Sequence, residues 1–363
     1  MISAKGLSKK FGVDTSANAV LNDVNFEVAP GTLFTLLGPS GSGKTTTLRC
    51  IAGLESPDEG EIRLGDRVVF SSGKRIRLPA EKRKLGMVFQ SYAIWPHMTV
   101  GQNVSYPLEG EKLSRAEIDR RVGRALEQVG LAQLADRPAP NLSGGQQQRV
   151  AFARALVAEP EVLLLDEPLS NLDAKLRQQM RREITQLQRR LGLTTLFVTH
   201  DQEEALALSD TIALMNNGQV VEIGSPEDLY NFPREKFTAE FLGTANIVPG
   251  SVIGKEDGKD VMETAFGRFE ALPRSENDVS CELFFRPHHV RLCEAAMQGR
   301  LNVGRGTVME ATFLGETKDV LVSHGGQTIR LRPHASQRLR SGDEIHFEVD
   351  PEFTLGFGAA AGK

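Results

Sequence analysis

The stretch GPSGSGKT, residues 38–45, governs how the rest of this sequence is interpreted. It matches the pattern G-x-x-x-x-G-K-[ST], follows the apolar run LFTLLG (33–38) and leads into the helix-like run TTTLRCIAGL (45–54). A glycine-rich turn in this context lets backbone N–H groups surround phosphate oxygens, and the helix N-terminus adds partial positive charge. We therefore predict that Lys44 reaches the β and γ phosphates of a nucleotide and that Thr45 offers its hydroxyl to Mg²⁺. The predicted binding residues are Gly38, Pro39, Ser40, Gly41, Ser42, Gly43, Lys44, Thr45 and Thr46.

Strand-like and helix-like segments alternate through the first two thirds of the chain. Three further apolar runs are predicted to be buried strands, KLGMVFQ (84–90), VLLLD (162–166) and TTLFVTH (194–200). Two helices are predicted between them: residues 114–130, where Ser114 and Glu117 have capping-box spacing, and the charged amphipathic run 173–192. This alternation indicates an α/β domain with a mainly parallel sheet.

The pattern changes near residue 240. Before that point come a hairpin with Asn217-Gly218 at its turn and a helix start at Ser225-Pro226. Beyond it, short and often alternating apolar runs are separated by Gly, Asp and Asn, which is typical of all-β folds. A chain of 363 residues is long enough for two cores, and we predict domains at residues 1–240 and 241–363.

Two adjacent carboxylates end the predicted strand in VLLLDEP, residues 162–168. Asp166 is expected to hold the metal through its water shell. Glu167 points elsewhere because side chains alternate along a strand, and it is suited to polarise a water for attack on the γ phosphate. The alternative is two solvated charges that begin a loop.

The segment NLSGGQQQRVAFARAL, residues 141–156, carries a second potential phosphate site. Ser143 and Gln146 have capping-box spacing, whereas Gly144 and Gly145 lie in the first turn, where each costs helix stability of about 1 kcal/mol. Glycines there permit close approach to a helix N-terminus, which attracts phosphate. Two such sites suggest that two copies of the chain share each nucleotide. An ordinary capped helix with a flexible entry remains the alternative.

In this order, GPSGSGKT, LSGGQ and VLLLDEP resemble the ATP-binding cassette (ABC) family over residues 1–240. The resemblance implies a P-loop NTPase fold with a helical subdomain. It also implies roles for four further residues. Phe11 would stack on adenine, although an aromatic near a first strand is often part of the core. Gln90 would reach Mg²⁺ and the attacking water, Asp173 would communicate across the dimer, and His200 would contact the γ phosphate.

The mechanism implied by this resemblance involves two subunits that close head to tail around two MgATP. Four residues of one subunit, Ser143, Gly144, Gly145 and Gln146, would face the γ phosphate held by Lys44 of the other. Glu167 would activate water, and hydrolysis would reopen the dimer. Positioning and charge stabilisation provide most of the catalysis in phosphoryl transfer.

The only tryptophan, Trp95, lies in FQSYAIWPHMTV, residues 89–100. The family resemblance places Gln90 to Met98 at a groove that receives a short helix of an integral membrane permease, and aromatic and Met side chains are enriched at such anchors. Alternatively, Trp95 packs inside the helical subdomain of its own chain. In the first case, Gln90 would link the nucleotide state to the permease.

The C-terminal third resembles the small OB-like β domain, called TOBE, that is appended to many bacterial importer ATPases. It implies an importer with an extracytoplasmic solute-binding protein as an indirect partner. Ferric iron and polyamine systems are the most similar in sequence texture, and phosphonate is another possible cargo. A regulatory ligand-binding role of this domain is a further hypothesis. His288 and His289 are adjacent, and on a strand adjacent side chains would point to opposite faces, so we expect no metal site there.

Bulk composition argues against several other classes. The net charge of −4 gives no basic field for nucleic acid, so we expect no such partner. Three scattered cysteines and the absence of an apolar leader or spanning run predict a cytosolic chain, attached peripherally to the inner membrane through the permease. A soluble ABC ATPase acting on nucleic acid or ribosomes remains the alternative, whereas an exporter is disfavoured because its cassettes are usually fused to membrane helices.

Overall fold

The computed structural model describes residues 1–11, 18–273, 280–297 and 299–358. It divides into two compact units, residues 1–226 and residues 227 onwards. The family-domain boundary predicted at residues 240 and 241 lies slightly further along the chain and stays a prediction.

A six-stranded sheet forms the centre of the first unit, and its strand order is β11-β10-β3-β9-β8-β7. The five strands from β10 to β7 pair in parallel, whereas β11 joins through a hairpin. Asn217 and Gly218 both have positive φ at the hairpin turn, as the sequence predicts. The bounds are β3 Leu33–Leu37, β7 Leu85–Val88, β8 Val162–Asp166, β9 Thr194–Thr199, β10 Thr211–Asn216 and β11 Gln219–Gly224.

A second, five-stranded sheet of the first unit has the order β2-β1-β4-β5-β6 and pairs antiparallel throughout. The sequence patterns described above do not predict this sheet. It shares a hydrophobic core with one face of the parallel sheet, where residues such as Ile2, Val24, Leu48 and Leu164 are fully buried. The bounds are β1 Ile2–Phe11, β2 Asn18–Val28, β4 Glu59–Leu64, β5 Arg67–Ser71 and β6 Ile76–Arg77.

Six α-helices of the first unit begin after the phosphate-loop strand. They are α1 Lys44–Ala52, α2 Val100–Ser105, α3 Arg115–Gln128, α4 Gly144–Leu156, α5 Ala174–Leu191 and α6 Gln202–Leu208. Helices α2, α3 and α4 pack around a separate small core that contains Val104, Leu126 and Val150, which agrees with the predicted helical subdomain.

The predicted capping box of α3 forms only in part. The Ser114 hydroxyl accepts from the Glu117 N–H at 3.2 Å. The Glu117 carboxylate accepts instead from Arg120 and Arg121, at 2.7 and 2.8 Å, and these guanidinium bonds lower its pKa to about 2. Two cationic donors one turn further along the helix outcompete a neutral backbone N–H.

The second unit consists mainly of strands, as predicted. A closed barrel contains β12, β13, β14, β21 and β15, and a five-stranded sheet has the order β16-β20-β17-β18-β19. The strand bounds are β12 Asn246–Glu256, β13 Lys259–Thr264, β14 Arg268–Pro273, β15 Ser280–Phe285, β16 Val290–Cys293, β17 Val303–Phe313, β18 Lys318–His324, β19 Gln327–Leu331, β20 Glu344–Val349 and β21 Leu355–Gly358. Two short helices precede them, α7 Pro226–Asn231 and α8 Lys236–Phe241, and Pro226 occupies the predicted first helical position of α7.

A buried arginine joins these two helices to the barrel. Arg286 follows β15, is 0% exposed, and donates to the carbonyl oxygens of Tyr230 at 3.0 Å and Ala239 at 2.9 Å. It also donates to Thr244 at 3.1 Å, and it lies 4.3 Å from the centre of the Tyr230 ring. Burial lowers its pKa to about 10, so the guanidinium stays charged at neutral pH.

In the described ranges of the chain, no helix combines the length and the apolar character that crossing a bilayer requires.

Candidate active site

The predicted phosphate loop joins β3 to α1. Gly38 has φ of 159°, and a Cβ at this position would lie 2.2 Å from the Met215 carbonyl oxygen, so only glycine fits. The buried Lys44 ammonium donates to the carbonyl oxygens of Gly38 at 2.9 Å and Pro39 at 2.8 Å. Burial lowers the pKa of Lys44, and the nearby carboxylates of Glu167 and Asp166 partly offset this shift. The loop thus concentrates a cation and a helix N-terminus at one point.

The two predicted metal ligands at the base of the loop meet directly. The Thr45 hydroxyl donates to Asp166 Oδ1 at 3.2 Å, across 121 positions of sequence. Burial raises the pKa of Asp166, and the Thr45 hydrogen bond and Arg49 oppose that shift. A hydroxyl and a carboxylate are the hard oxygen donors that Mg²⁺ prefers together with phosphate oxygens and water. The described residues contain no cluster of three His, Cys, Asp or Glu side chains that could hold a metal without nucleotide.

The three predicted catalytic residues lie together beside Asp166. Glu167 Oε2 accepts from the Gln90 amide at 3.2 Å and lies 3.1 Å from His200 Nδ1. Gln90 lies two residues after β7, and His200 follows β9, so three neighbouring strands bring these groups to one edge of the sheet. Glu167 has φ of 44°, a strained conformation for a non-glycine residue, and its N–H donates to Val198 O at 3.0 Å. This backbone bend separates its side chain from that of Asp166.

The predicted second phosphate site lies at the start of α4. Ser143 and Gln146 form a complete capping box, in which the Ser143 N–H donates to Gln146 Oε1 at 3.0 Å. Ser143 and Gly144 are exposed, whereas Gly145 is buried against Leu176. The hydrogen bonds described for Ser143 and Gln146 stay within this helix start and do not reach the phosphate loop of the same chain.

Two further predicted residues lie at the surface. Asp173 caps α5, where its carboxylate accepts from the Leu176 N–H at 3.0 Å. Phe11 ends β1, is 48% exposed, and has the Lys9 ammonium 5.2 Å from its ring centre. The exposed ring is not a core residue, contrary to the alternative interpretation. The segment that follows it, residues 12–17, lies outside the described residues.

Trp95 is half-buried and is held by its own subunit. Its backbone N–H donates to Asn103 Oδ1 at 2.9 Å, and its carbonyl accepts from Asn103 Nδ2 at 3.1 Å. Its ring centre lies 4.2 Å from that of Tyr106, which is 41% exposed. The contacts therefore agree with packing of Trp95 inside the helical subdomain. The Tyr106 ring remains partly exposed to solvent.

Arg154, near the end of α4, is a residue of this region that no sequence motif indicates. Its guanidinium donates to the carbonyl oxygens of Tyr92 and Ala93, both at 2.6 Å, and lies 4.6 Å from the centre of the Trp95 ring. Tyr92 and Ala93 have φ of 59° and 48°, so Arg154 supports a strained turn directly after Gln90. In the sequence, Arg154 is recognisable only as a charged residue within the apolar run FARAL. That pattern does not identify its hydrogen-bond acceptors, which lie about 60 residues earlier in the chain.

Comparison with known proteins gives the family. Residues 21–170 match the ABC transporter family, and residues 283–357 match the TOBE domain. The chain is 48% identical to the Fe(3+) ions import ATP-binding protein FbpC of Brucella abortus (strain 2308), over 87% of this chain and 85% of that protein. It is 41% identical to the trehalose/maltose import ATP-binding protein MalK of Thermococcus litoralis, over 98% of this chain and 96% of that protein.

A solved structure agrees with these matches. The dimeric post-hydrolysis state of the ATP-binding cassette MJ0796, bound to ADP and Pi, has 31% identity and a TM-score of 0.54, and the match covers 62% of this chain and 99% of that one. The phosphate loop, the carboxylates at the end of β8 and the helix beginning at Ser143 all fall in the part of the chain that matches the ABC transporter family. The chain therefore belongs to the ABC transporter family of ATP-binding proteins, and it is an ATPase with a C-terminal TOBE domain.

Proposed function

We propose that this ATPase is the energy-supplying subunit of a bacterial importer. Similarity over nearly the whole chain to proteins named as import ATP-binding subunits is the observation that carries the proposal. Its partners would be a second copy of the chain, an integral membrane permease and, indirectly, an extracytoplasmic solute-binding protein. The chain would lie on the cytoplasmic face of the inner membrane, held there by the permease.

In the proposed catalytic cycle, two copies close head to tail around two ATP molecules. The similar MJ0796 cassette, which is dimeric in its post-hydrolysis state, supports this arrangement. The exposed Ser143 and Gly144 offer a helix N-terminus that is free to face the γ phosphate of the partner's nucleotide. Lys44 would exchange its two carbonyl partners for phosphate oxygens, and Phe11 would stack on adenine.

The chemistry at each nucleotide depends on charge and position. Thr45, Asp166 and Gln90 would hold Mg²⁺, which neutralises charge on the β and γ phosphates when bound. Glu167 would orient and polarise the attacking water, and its contacts with Gln90 and His200 fix the carboxylate in place. His200 would contact the γ phosphate from the end of β9, and Asp173 would communicate across the dimer.

The segment from Gln90 to Met98 is our proposed permease contact. Its support is the physical connection between Gln90, which touches Glu167, and Trp95, which touches Arg154 on the helix that begins at Ser143. A structural change at Glu167, or at the helix that carries Arg154, would therefore be transmitted to the surface formed by Gln90 to Met98. Ferric iron is the first cargo to test, because the 48% identical relative carries that name.

The test is affinity purification of a tagged Glu167→Gln variant with ATP from gently solubilised native membranes, followed by mass spectrometry. We expect a polytopic permease, and its associated binding protein would identify the cargo. Recovery of ribosomal or DNA-repair proteins with no membrane subunit would refute the importer proposal and favour the soluble ATPase. A matched Glu161→Gln variant, changed at the exposed residue before β8, controls for the lost charge.

A further inference from the structure

A single arginine connects the loop that precedes α5 to the turn that carries His200. Arg177 lies one turn into α5 and is partly buried. Its Nη2 donates to the Leu172 carbonyl oxygen at 3.1 Å, in the loop of residues 170–173. Its Nη1 donates to Asp201 Oδ2 at 3.2 Å, in the residue directly after His200. The same guanidinium therefore contacts both segments.

The turn after β9 is held by several hydrogen bonds on the side of α6. Asp201 caps α6, since its carboxylate accepts from the Glu204 N–H at 3.0 Å. The buried Glu204 carboxylate accepts from the Thr199 hydroxyl at 2.7 Å, and that hydroxyl accepts from the Asp201 N–H at 3.0 Å. His200 lies between these bonded residues, with Nδ1 3.1 Å from Glu167. A displacement of Asp201 would therefore move His200 as well.

The loop of residues 170–173 is also tied to the catalytic residues on its other side. Asn171 Nδ2 donates to the Gln90 carbonyl oxygen at 2.9 Å. Leu172 is buried, whereas Asn171 and Asp173 are exposed. The loop thus has an exposed side that is accessible to a second copy of the chain and a buried side that contacts Arg177.

One contact of Arg177 is incomplete. Its Nε is buried, makes no hydrogen bond within the part of the chain that the structure describes, and lies 3.8 Å from Glu204 Oε1. Hydrogen bonds from N–H to oxygen span about 2.7–3.2 Å, so an approach of roughly 1 Å would complete a third bond. A small movement of α5 relative to α6 would therefore change the contacts of this guanidinium.

We propose that Arg177 is a positioning residue for ATP hydrolysis, which adjusts the place of His200 to the place of the loop of residues 170–173. Contact of a second copy with the exposed side of this loop would move the Leu172 carbonyl, and Arg177 would transmit the displacement through Asp201. The planar guanidinium fork suits this task because it donates in fixed directions. The inference rests on the roles proposed for Asp173 and His200, and it adds the side chain that connects them.

The first experiment is steady-state ATP hydrolysis by the full chain. Arg177→Lys keeps the charge and loses the fork, so kcat should fall about tenfold, equivalent to about 1.4 kcal/mol, with KM for ATP within about twofold of the wild type. Arg181→Lys is the matched control, because Arg181 also joins α5 to α6 but pairs with the exposed Glu203. It should keep the wild-type kcat. An equal fall in both variants would overturn the inference.

Histidine-ring NMR of the nucleotide-free chain measures the position of His200 without turnover. The His200→Ala variant assigns the signal. It should shift in Arg177→Lys and stay in place in Arg181→Lys. An unshifted His200 signal in Arg177→Lys would overturn the inference.

A double-mutant cycle separates positioning from a general structural effect. His200→Ala removes the group that Arg177 positions, so the Arg177→Lys, His200→Ala double variant should have the kcat of His200→Ala alone. Losses that multiply in the double variant would overturn the inference and leave the role of His200 intact. Wild-type kcat in His200→Ala would instead refute the proposed role of His200, and the inference would fail with it.

The loop is tested with Asp173→Ser, which keeps a capping hydroxyl and removes the carboxylate. Combined with Arg177→Lys, it should lower kcat no further than the slower single variant, and a multiplied loss would contradict the proposed connection. If Arg177→Lys fails to fold, Asp201→Asn replaces it, because an amide oxygen still caps α6 while the charge facing Arg177 is lost. Wild-type kcat in folded Asp201→Asn would overturn the inference.

Discussion

The guanidinium carbon of Arg154 lies 4.6 Å from the centre of the Trp95 ring, while the same guanidinium donates to the carbonyl oxygens of Tyr92 and Ala93. Arg154 is only 7% exposed, and burial lowers its pKa. A single side chain therefore connects the helix that starts at Ser143 with the turn that follows Gln90. Loss of this side chain should mainly lower the stability of the first unit, and it should also weaken the link between the nucleotide site and the proposed permease contact.

Arg154→Lys should destabilise the first unit by about 1–3 kcal/mol, because an ammonium lacks the planar fork that donates to both carbonyls while its face packs on the Trp95 ring. Differential scanning calorimetry of the full chain would show a lower Tm for the first unit. Arg189→Lys, at an exposed position near the end of α5, is the control and should unfold like the wild type. An unchanged Tm for Arg154→Lys would mean that the two bonds contribute little.

Trp95→Ala should leave the ATPase activity of the purified subunit largely intact and lower transport by the assembled complex. The ring packs on Arg154 and Tyr106 and has no contact with the phosphate loop in the described structure. Transport is measured by cargo uptake into vesicles that contain the whole complex. Trp95→Phe keeps an aromatic ring at this position and should retain most of the transport. A folded Trp95→Ala variant with full transport would remove this residue as an anchor.

Glu167→Gln should lower ATP turnover by about 10²-fold or more, because a neutral amide cannot accept a proton from the attacking water. The variant should still bind ATP and accumulate as a closed dimer, which size-exclusion chromatography with ATP would detect. Phosphate release measures turnover, with Glu161→Gln as the charge control. Near-normal hydrolysis by Glu167→Gln would show that another group is the base.

Thr45→Val should abolish most of the gain in ATP affinity that Mg²⁺ provides. The substitution removes the hydroxyl that lies 3.2 Å from Asp166 and keeps the branched shape. Affinity is compared with Mg²⁺ and with excess chelator, and the two values should converge in the variant but not in Thr45→Ser, which retains the hydroxyl. If Thr45→Val keeps the full Mg²⁺ effect, Thr45 is not a ligand.

Acidification should destabilise the second unit through His289. Its ring lies 4.2 Å from that of Phe353, and burial, together with the nearby His288, lowers its pKa to about 4. Asp350 opposes this shift, and Arg286 reinforces it. Between about pH 6.5 and about pH 4 the unfolded chain binds a proton that the folded chain does not, so the free energy of unfolding falls as the pH falls.

Calorimetry across this pH range tests the effect. The Tm of the second unit should decline in the wild type, and the decline should be smaller in His289→Phe, which stacks but cannot titrate. Phe353→Leu should lower the Tm at every pH yet keep the pH dependence, because the imidazole remains. An equal decline in His289→Phe would assign the pH dependence to other groups.

Local patterns were sufficient to predict the elements around the phosphate loop. Strands β3, β8 and β9, the turn at Asn217-Gly218 and the cap at Ser143 all depend on residues close together in sequence, and all are present. The antiparallel sheet that begins with β1 was not predicted, because its partners come from distant segments such as β4. In the second sheet of the TOBE-containing unit, β17, β18 and β19 pair with sequence neighbours, whereas β20 pairs with β16 and β17 from further along the chain, which local patterns do not indicate.

The candidate site shows the same division. Lys44 and Thr45 belong to GPSGSGKT, and Asp166 belongs to VLLLDEP. Because both motifs are expected at one nucleotide site, the sequence predicts that these three residues lie close together. Arg154 could not be found in this way, since its partners at Tyr92 and Ala93 depend on how α4 packs against the turn after β7. Glu117 illustrates the opposite error: the spacing for a capping box was present, but two nearby arginines took its carboxylate.

Arg286 also determines where this polypeptide can be divided. Its guanidinium is satisfied by carbonyl oxygens on both short helices, at Tyr230 and Ala239, as well as on the segment that enters the barrel. A fragment that starts at residue 241 would lack two of these acceptors and would bury a cation with too few partners, which is strongly unfavourable. An autonomous C-terminal fragment should therefore start before α7, and proteolysis of the intact chain should spare the stretch from Tyr230 to Thr244.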